Sequence, residues 1–177
     1  MLIREADKIP GCESGLRKKG IHMNLRVVDG NLLDQGVDVI VNAWNRNPFP
    51  WWLLLPQGVS GAIKRRGGDE PFRELSRMGL IPLGGAVVTG PGRLPFRAII
   101  HVAGINLLWR SSEWSVRESV RNAIALSKKQ GVKSVGFPLI GAGSGGGRAA
   151  KIEGWMLDEL GRLEFDGEVV VVRFKPS

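Results

Sequence analysis

A glycine-rich run, Gly141-Ala-Gly-Ser-Gly-Gly-Gly147, stands between a predicted strand and a predicted helix. Glycines let main-chain N–H groups come close to an anion, and the helix that follows adds the positive end of its dipole. Diphosphate binding is therefore the favoured interpretation, and a tightly turning loop without a ligand stays open as the alternative. The run lacks the Gly-Lys-Ser/Thr of a Walker A loop and the glycine spacing of the dinucleotide fingerprint.

Two further segments carry residue types that suit a polar ligand. In Val39-Ile-Val-Asn-Ala-Trp-Asn45, two asparagines leave the carboxyl end of a buried strand pattern. Asn42 can hold the loop by bonding to backbone groups, and the Asn45 amide, which both donates and accepts, can reach sugar hydroxyls. The segment Gly58-Val-Ser-Gly-Ala-Ile63 is a second glycine-framed turn, and it opens a predicted helix.

Strand patterns and helix patterns alternate along the chain from Leu25 onward. Short β-branched runs between turn residues indicate buried strands, and apolar residues at helical spacing indicate amphipathic helices. This alternation is typical of an α/β protein with helices on both faces of the sheet, whose ligands lie at the carboxyl ends of the strands. The predicted strands are 25–28, 37–41, 86–89, 98–102, 134–137 and 169–174, and the predicted helices are 58–66, 71–78, 113–130 and 148–163.

Size and composition indicate one soluble domain. The chain has 177 residues and shows neither a signal peptide nor the ~18-residue apolar stretch of a membrane span, so a cytoplasmic location is expected. Cys12 is the single cysteine, and no His, Cys, Asp and Glu cluster has metal-ligand spacing, so no metal or other cofactor is expected. The net charge of +8 favours an anionic ligand and leaves nucleic acid as a lesser alternative. His101, inside a strand pattern, is expected to be a core residue whose hydrogen bonds are satisfied.

Two segments stand apart from the α/β pattern. Residues 1–22 lack apolar periodicity and are expected to be an appended or disordered tail, which leaves 23–177 as the domain. The proline-stiffened segment 47–57 carries Trp51 and Trp52, which could anchor the loop in the core, cover a ligand or meet a protein partner.

Five segments occur in the order and spacing of one known family. They are Gly30-Asn-Leu32, Val39 to Asn45, Gly58 to Ile63, Ile99-Ile-His-Val-Ala-Gly104 and Phe137 to Gly146. Together they resemble a macrodomain, the ADP-ribose-binding macro domain family of the Appr-1''-p processing type, over Leu25 to Phe174. The resemblance implies a three-layer α/β/α fold, a mixed sheet of about six strands and a cleft for ADP-ribose.

The resemblance also implies roles for individual residues. Asn31, beside Leu32, matches the residue at the adenine amino group, and Phe174 matches the aromatic that stacks on adenine, with core packing an equal alternative. Asn45 matches the asparagine at the distal ribose, and Asn42 on the same strand end and Leu32 beside Asn31 are counted with it as candidate ligand-binding residues. The first diphosphate and ribose loop is matched by Gly58, Val59, Ser60 and Gly61, and the second by Gly141, Ala142, Gly143, Ser144, Gly145 and Gly146.

Three of these positions depart from the pattern of the family. Asn31 stands where many relatives have an acidic residue, and Gly145 stands where many have an aromatic. Ser60 replaces the aspartate of MacroD-type hydrolases, and a serine cannot act as a carboxylate base. These departures leave open whether the chain is an enzyme.

Three functions are compatible with the sequence. The chain could hydrolyse ADP-ribosyl esters, with Asn45 and Ser60 as the catalytic candidates and the bound diphosphate helping to activate water. It could instead be a reader that binds ADP-ribose without cleaving it, or a basic RNA- or DNA-binding module. The expected partners are ADP-ribose or an ADP-ribosylated protein or nucleic acid, not a membrane, and the expected state is a monomer.

Overall fold

The computed structural model describes residues 23–45, 58–106, 110–143 and 149–175. In these ranges, strands and helices alternate as the sequence predicts. The strands are β1 Met23–Gly30, β2 Val39–Asn45, β3 Ala86–Thr89, β4 Ala98–Ile105, β5 Ser134–Pro138 and β6 Gly167–Phe174. The α-helices are α1 Gly58–Gly67, α2 Glu70–Arg77, α3 Glu113–Lys129 and α4 Ala149–Gly161, and a 3-10 turn spans Leu32–Asp34.

The described strands form one mixed sheet in the order β1-β6-β5-β2-β4-β3. All neighbouring pairs are parallel except β3 and β4, which are antiparallel. The carboxyl ends of β1, β6, β5, β2 and β4 therefore lie along one edge of the sheet. The predicted α/β class and the mixed sheet of about six strands are confirmed.

Two hydrophobic clusters cover the two faces of this sheet, so the fold has three layers. On one face, residues of β2, β4, β5 and β6 pack against α3 and α4. On the other face, the alternate residues of β2, β4 and β6 pack against α1, α2 and the 3-10 turn. The valine run of β6 supplies both clusters, with Val169 and Val171 on one side and Val170 and Val172 on the other.

Some predictions fall on residues outside the described ranges. They concern the tail 1–22, the tryptophan segment 47–57 and the loop positions Ser144, Gly145 and Gly146. None of the helices in the described ranges combines the length and the apolar character that a membrane span requires.

Candidate functional site

The candidate site residues lie along the edge where four neighbouring strands end. In spatial order, Asn31 follows β1, Phe174 ends β6, the glycine-rich loop follows β5, and Asn45 ends β2. Neighbouring strands are about 4.8 Å apart, so these residues spread over roughly 14 Å. Four segments that are distant in sequence thus form one continuous rim.

At the β1 end of the rim, Asn31 and Phe174 are brought close together. Gly30 pairs with Phe174 across the two strands. The Asn31 Oδ1 atom accepts a hydrogen bond of 3.0 Å from the Leu33 N–H and so caps the 3-10 turn. Leu32 is 3% exposed and packs in the core, which leaves only its main chain for a ligand. Phe174 is 69% exposed, so the core-packing alternative is wrong.

Four charged side chains, which the sequence patterns did not single out, flank Phe174. Arg173 donates two hydrogen bonds of 2.6 Å to the Glu153 carboxylate, and Lys175 donates one of 2.8 Å to Asp29. The Arg173 guanidinium lowers the pKa of Glu153, and the Lys175 ammonium lowers the pKa of Asp29. The two cations and two anions join β1, β6 and α4 beside the exposed ring.

The loop after β5 begins with a residue that must be glycine. Gly141 is buried with φ +89°, and a Cβ atom there would lie 2.6 Å from the Ser111 Cβ atom. The Ala142 N–H donates to the Leu139 carbonyl oxygen at 3.2 Å, so this amide closes the turn. Gly143 is exposed, and a Cβ atom there would meet no heavy atom within 4 Å. The loop thus starts with a tight turn, and its third residue, Gly143, faces open space.

The first turn of α1 forms the other glycine-framed segment. Gly58 has φ +56° and is exposed, and Gly61 is buried. N–H groups in the first turn of a helix have no partners within the helix, and the dipole is positive at that end. Since this turn carries no acidic side chain, its charge remains favourable for an anion. Val59 and Ser60 complete the turn, with Ser60 only 8% exposed.

The side chain of Asn42 does not face the cleft, so the prediction that it contacts a ligand needs correction. Asn42 is fully buried, because it points from β2 toward the α1 layer. Its Oδ1 atom accepts a hydrogen bond of 2.8 Å from the Ser60 hydroxyl, and its Nδ2 atom lies 3.0 Å from His101 Nδ1. The partners described for Asn42 are thus side chains, where backbone groups were expected. Asn42 holds Ser60.

Asn45 ends β2 at the point where its register with β4 shifts. The backbone position agrees with a place on the rim, and the side chain lies outside the described part of the structure. Its predicted contact with a sugar therefore stays a prediction.

His101 is a buried core residue with partners on both ring nitrogens, as expected. Its Nε2 atom lies 2.8 Å from Thr89 Oγ1, and its Nδ1 atom lies beside Asn42. Burial lowers the pKa of His101 to about 3, so the ring is neutral at physiological pH. No sequence pattern pointed to Thr89, because its contact with His101 arises only when β3 pairs with β4.

The basic cluster at the end of α1, Lys64-Arg65-Arg66, is partly neutralised by carboxylates. Lys64 lies 3.7 Å from an Asp69 carboxylate oxygen, and Arg66 lies 2.6 Å from a carboxylate oxygen of Asp34.

Among the residues that the structure describes, no group of three or more His, Cys, Asp or Glu could hold a metal ion.

Comparison with known proteins agrees with this geometry. The family model described as "Macro domain" matches residues 41–154. A protein of Aquifex aeolicus is 36% identical over 80% of this chain and 84% of its own length. An O-acetyl-ADP-ribose deacetylase of Escherichia fergusonii is 36% identical over 67% of this chain and 68% of its own length.

A solved Oceanobacillus iheyensis macrodomain with ADP has a TM-score of 0.77 and is 29% identical, covering 88% of this chain and 86% of that chain. A variant of the same macrodomain, with ADPR, has a TM-score of 0.75 and covers 86% of this chain and 87% of that one, again at 29% identity. The family model covers more than half of the chain, including the ends of β2 and β5, and the relatives cover two thirds of the chain or more. The chain therefore belongs to the macro domain family.

Proposed function

We propose that the chain binds ADP-ribose along the rim formed by the ends of β1, β6, β5 and β2. The observation that carries the proposal is the order of chemistries on these adjacent strands. An exposed aromatic ring and an amide come first, then the glycine-rich loop, then the asparagine strand end. A nucleotide sugar presents the same order, with a base, a diphosphate and a second sugar.

Each part of the ligand has a proposed place on this rim. Adenine would stack on Phe174 and donate its amino hydrogens to Asn31 Oδ1, which already accepts from the Leu33 N–H but has a second lone pair. The diphosphate would lie between the loop 141–146 and the first turn of α1, and the distal ribose would lie at Asn45 and Ser60. The ADP and ADPR in the Oceanobacillus iheyensis macrodomain structures support this choice of ligand.

We further propose that the bound molecule is an ADP-ribosyl ester and that the chain hydrolyses it. In this reaction water adds to the ester carbonyl carbon, the bond to the ribose oxygen breaks, and that oxygen leaves as a hydroxyl. The first turn of α1 offers no carboxylate base, so the ligand diphosphate would help to activate the water while Asn45 and Ser60 orient the ribose. Relatives named O-acetyl-ADP-ribose deacetylase support this part of the proposal.

The alternative of a reader that binds without cleaving is favoured by Ser60, because a serine cannot supply a carboxylate base. An RNA- or DNA-binding role has less support, since Lys64 and Arg66 in the basic cluster have carboxylate partners.

We also propose that residues 23–177 form the domain and that it acts as a cytoplasmic monomer. In this proposal, an ADP-ribosylated protein or nucleic acid carries the substrate group.

Two measurements test the proposal in sequence. Calorimetry with ADP-ribose, ADP and single-stranded RNA at two salt concentrations should show saturable ADP-ribose binding with weak salt dependence. Binding of RNA alone, falling steeply with salt, would contradict the nucleotide cleft. Release of ADP-ribose from an ADP-ribosylated protein or from O-acetyl-ADP-ribose would then support the hydrolase, and tight binding without release would support the reader.

A further inference from the structure

Four polar side chains form one line of hydrogen bonds beneath α1, across three strands of the sheet. Ser60 on α1 bonds to Asn42 on β2 at 2.8 Å, and Asn42 lies 3.0 Å from His101, its register partner on β4. His101 lies 2.8 Å from Thr89 on β3. Ser60 is 8% exposed, Thr89 is 2% exposed, and the two residues between them are fully buried. Hydrogen bonds in such a line polarise one another, so they favour a single order of donors and acceptors along the whole line.

The direction follows from what each atom can donate or accept. Since Asn42 Oδ1 accepts the Ser60 hydrogen, the amide nitrogen faces His101 Nδ1, and an amide nitrogen only donates. His101 Nδ1 is therefore unprotonated, and the neutral ring donates its Nε2 hydrogen to Thr89 Oγ1. Thr89 in turn donates to the Gly90 main-chain oxygen at 3.1 Å, and the Gly90 N–H donates to Glu74. With the Asn42 amide in this orientation, each group in the line has a partner, and all the bonds run in order from Ser60 toward Gly90.

We propose that this line of bonds makes Ser60 an acceptor-only group toward the cleft, with His101 and Thr89 as the positioning residues that hold it so. The single hydroxyl hydrogen of Ser60 goes to Asn42 Oδ1, so the Ser60 oxygen has only lone pairs left to offer a ligand. Ser60 then selects a hydrogen donor, such as a sugar hydroxyl or a water molecule. The inference rests on the proposed function, in which Ser60 lies beside the distal ribose.

Thr89→Val tests the direction without touching the cleft. Valine keeps the shape of threonine but removes the acceptor of the His101 Nε2 hydrogen, and a buried N–H without an acceptor is costly. The ring proton is expected to move to Nδ1, and the Asn42 amide to rotate so that its oxygen accepts it. The amide nitrogen would then donate to Ser60, whose own hydrogen would turn toward the cleft. Thr89→Ser keeps the hydroxyl and is the matched control.

Nitrogen NMR of protein labelled on histidine reads the direction without any ligand. The chain has two histidines, so a His22→Gln variant assigns the signals of His101. We expect a neutral ring protonated at Nε2 in the unaltered protein and in Thr89→Ser, and at Nδ1 in Thr89→Val. A ring protonated at Nδ1 in the unaltered protein overturns the proposal, and this outcome stays available if Thr89→Val does not fold.

Calorimetry with ADP-ribose and ADP reads the consequence at Ser60. In Thr89→Val, ADP-ribose is expected to bind about threefold to tenfold more weakly while ADP affinity stays unchanged, because ADP lacks the distal ribose. Thr89→Ser should restore the affinity for ADP-ribose. A shifted ring proton with unchanged ADP-ribose affinity would overturn the role of Ser60. An unaltered protein that binds neither nucleotide would instead contradict the proposed function, and the ring signals would still be readable.

Discussion

Gly141 and Gly143 lie two residues apart in the same loop but meet different surroundings. Gly141 has a positive φ, and a Cβ atom there would clash with Ser111, so a side chain at this position would damage the fold before it affected a ligand. Gly143 faces open space, so a side chain there would act on the ligand alone. Gly143 is therefore the better position at which to test the anion site.

Gly143→Glu is expected to abolish ADP-ribose binding while leaving the free energy of unfolding nearly unchanged. The added carboxylate would occupy the space proposed for the diphosphate and repel its charge. Gly161→Glu, at the last residue of α4, adds the same charge at another open position and is the control. Calorimetry measures both variants, and equal affinity in Gly143→Glu and the unaltered protein would refute the site.

Asn45→Ala is expected to slow hydrolysis about tenfold to a hundredfold and to weaken ADP-ribose binding by less than about tenfold. The reason is that misplacement of the distal ribose affects the reacting bond more than the distant adenine and diphosphate contacts. Single-turnover release of ADP-ribose and calorimetry give the two numbers, with Asn24→Ala at the start of β1 as a control. Proportional losses in both would show that Asn45 only holds the ligand.

At the scale of elements, the packing of α3 against α4 centres on a buried carboxylate. Glu159 on α4 is 1% exposed, and it accepts hydrogen bonds from Arg121 Nε at 2.5 Å and Arg117 Nη1 at 3.4 Å. Arg117 also donates to Asp158 at 2.5 Å, and its pKa is raised by Glu113 first and by Asp158 next. Removing one partner from a buried group of paired charges strongly destabilises the folded protein.

Glu159→Ala is expected to lower the free energy of unfolding by about 2 kcal/mol, through the cavity and the two arginines that lose an acceptor. Urea unfolding of the variant measures the loss. Lys133→Ala removes an exposed ion pair with Asp166 and should change stability little. An equal loss of stability in the two variants would show that the burial of Glu159 does not contribute to the free energy of unfolding.

The sequence predicted the elements well because each depends on a local pattern. All six predicted strands and four predicted helices are present in the described residues, with ends that differ by a few positions. The strand β1, predicted over 25–28, extends to Met23–Gly30 because it pairs with β6 along its full length. The neighbouring strand in the sheet decides where a strand begins and ends, and the local sequence pattern carries no information about that neighbour.

Candidate site residues were harder to assign than elements, for the same reason. Asn42 looked like a loop residue, yet its partner His101 is 59 positions away and meets it only through the parallel register of β2 and β4. Phe174 could have packed in the core or faced solvent, and only its place at the end of β6 decides for exposure. Residue type indicated polar chemistry, and topology decided the direction of each side chain.

At the scale of the whole molecule, stability should depend on pH through His101. The folded ring stays neutral with a pKa of about 3 because of burial, while the unfolded ring titrates near its ordinary 6.5. Below pH 6.5 the unfolded state therefore binds a proton that the folded state does not. The contribution of His101 to the free energy of unfolding is fully present above pH 6.5 and is lost as the pH falls toward 3.

The free energy of unfolding is expected to fall by about 1 kcal/mol per pH unit below roughly 6. The carboxylates with lowered pKa values, Asp29, Glu153 and Asp158, act in the same direction but only at more acidic pH. Urea unfolding at pH 7.5, 6 and 5 measures the slope, and a His22→Gln variant should keep it. Equal stability at all three values would contradict a neutral buried His101.

The central claim is that turns at neighbouring strand ends present main-chain amides to a diphosphate. A crystal structure with ADP-ribose tests it most directly. The account predicts the diphosphate between the first turn of α1 and the loop that begins at Gly141, with adenine on Phe174 and the distal ribose at Asn45. Density for the ligand away from this rim, or turns left empty at saturating ADP-ribose, would contradict the claim.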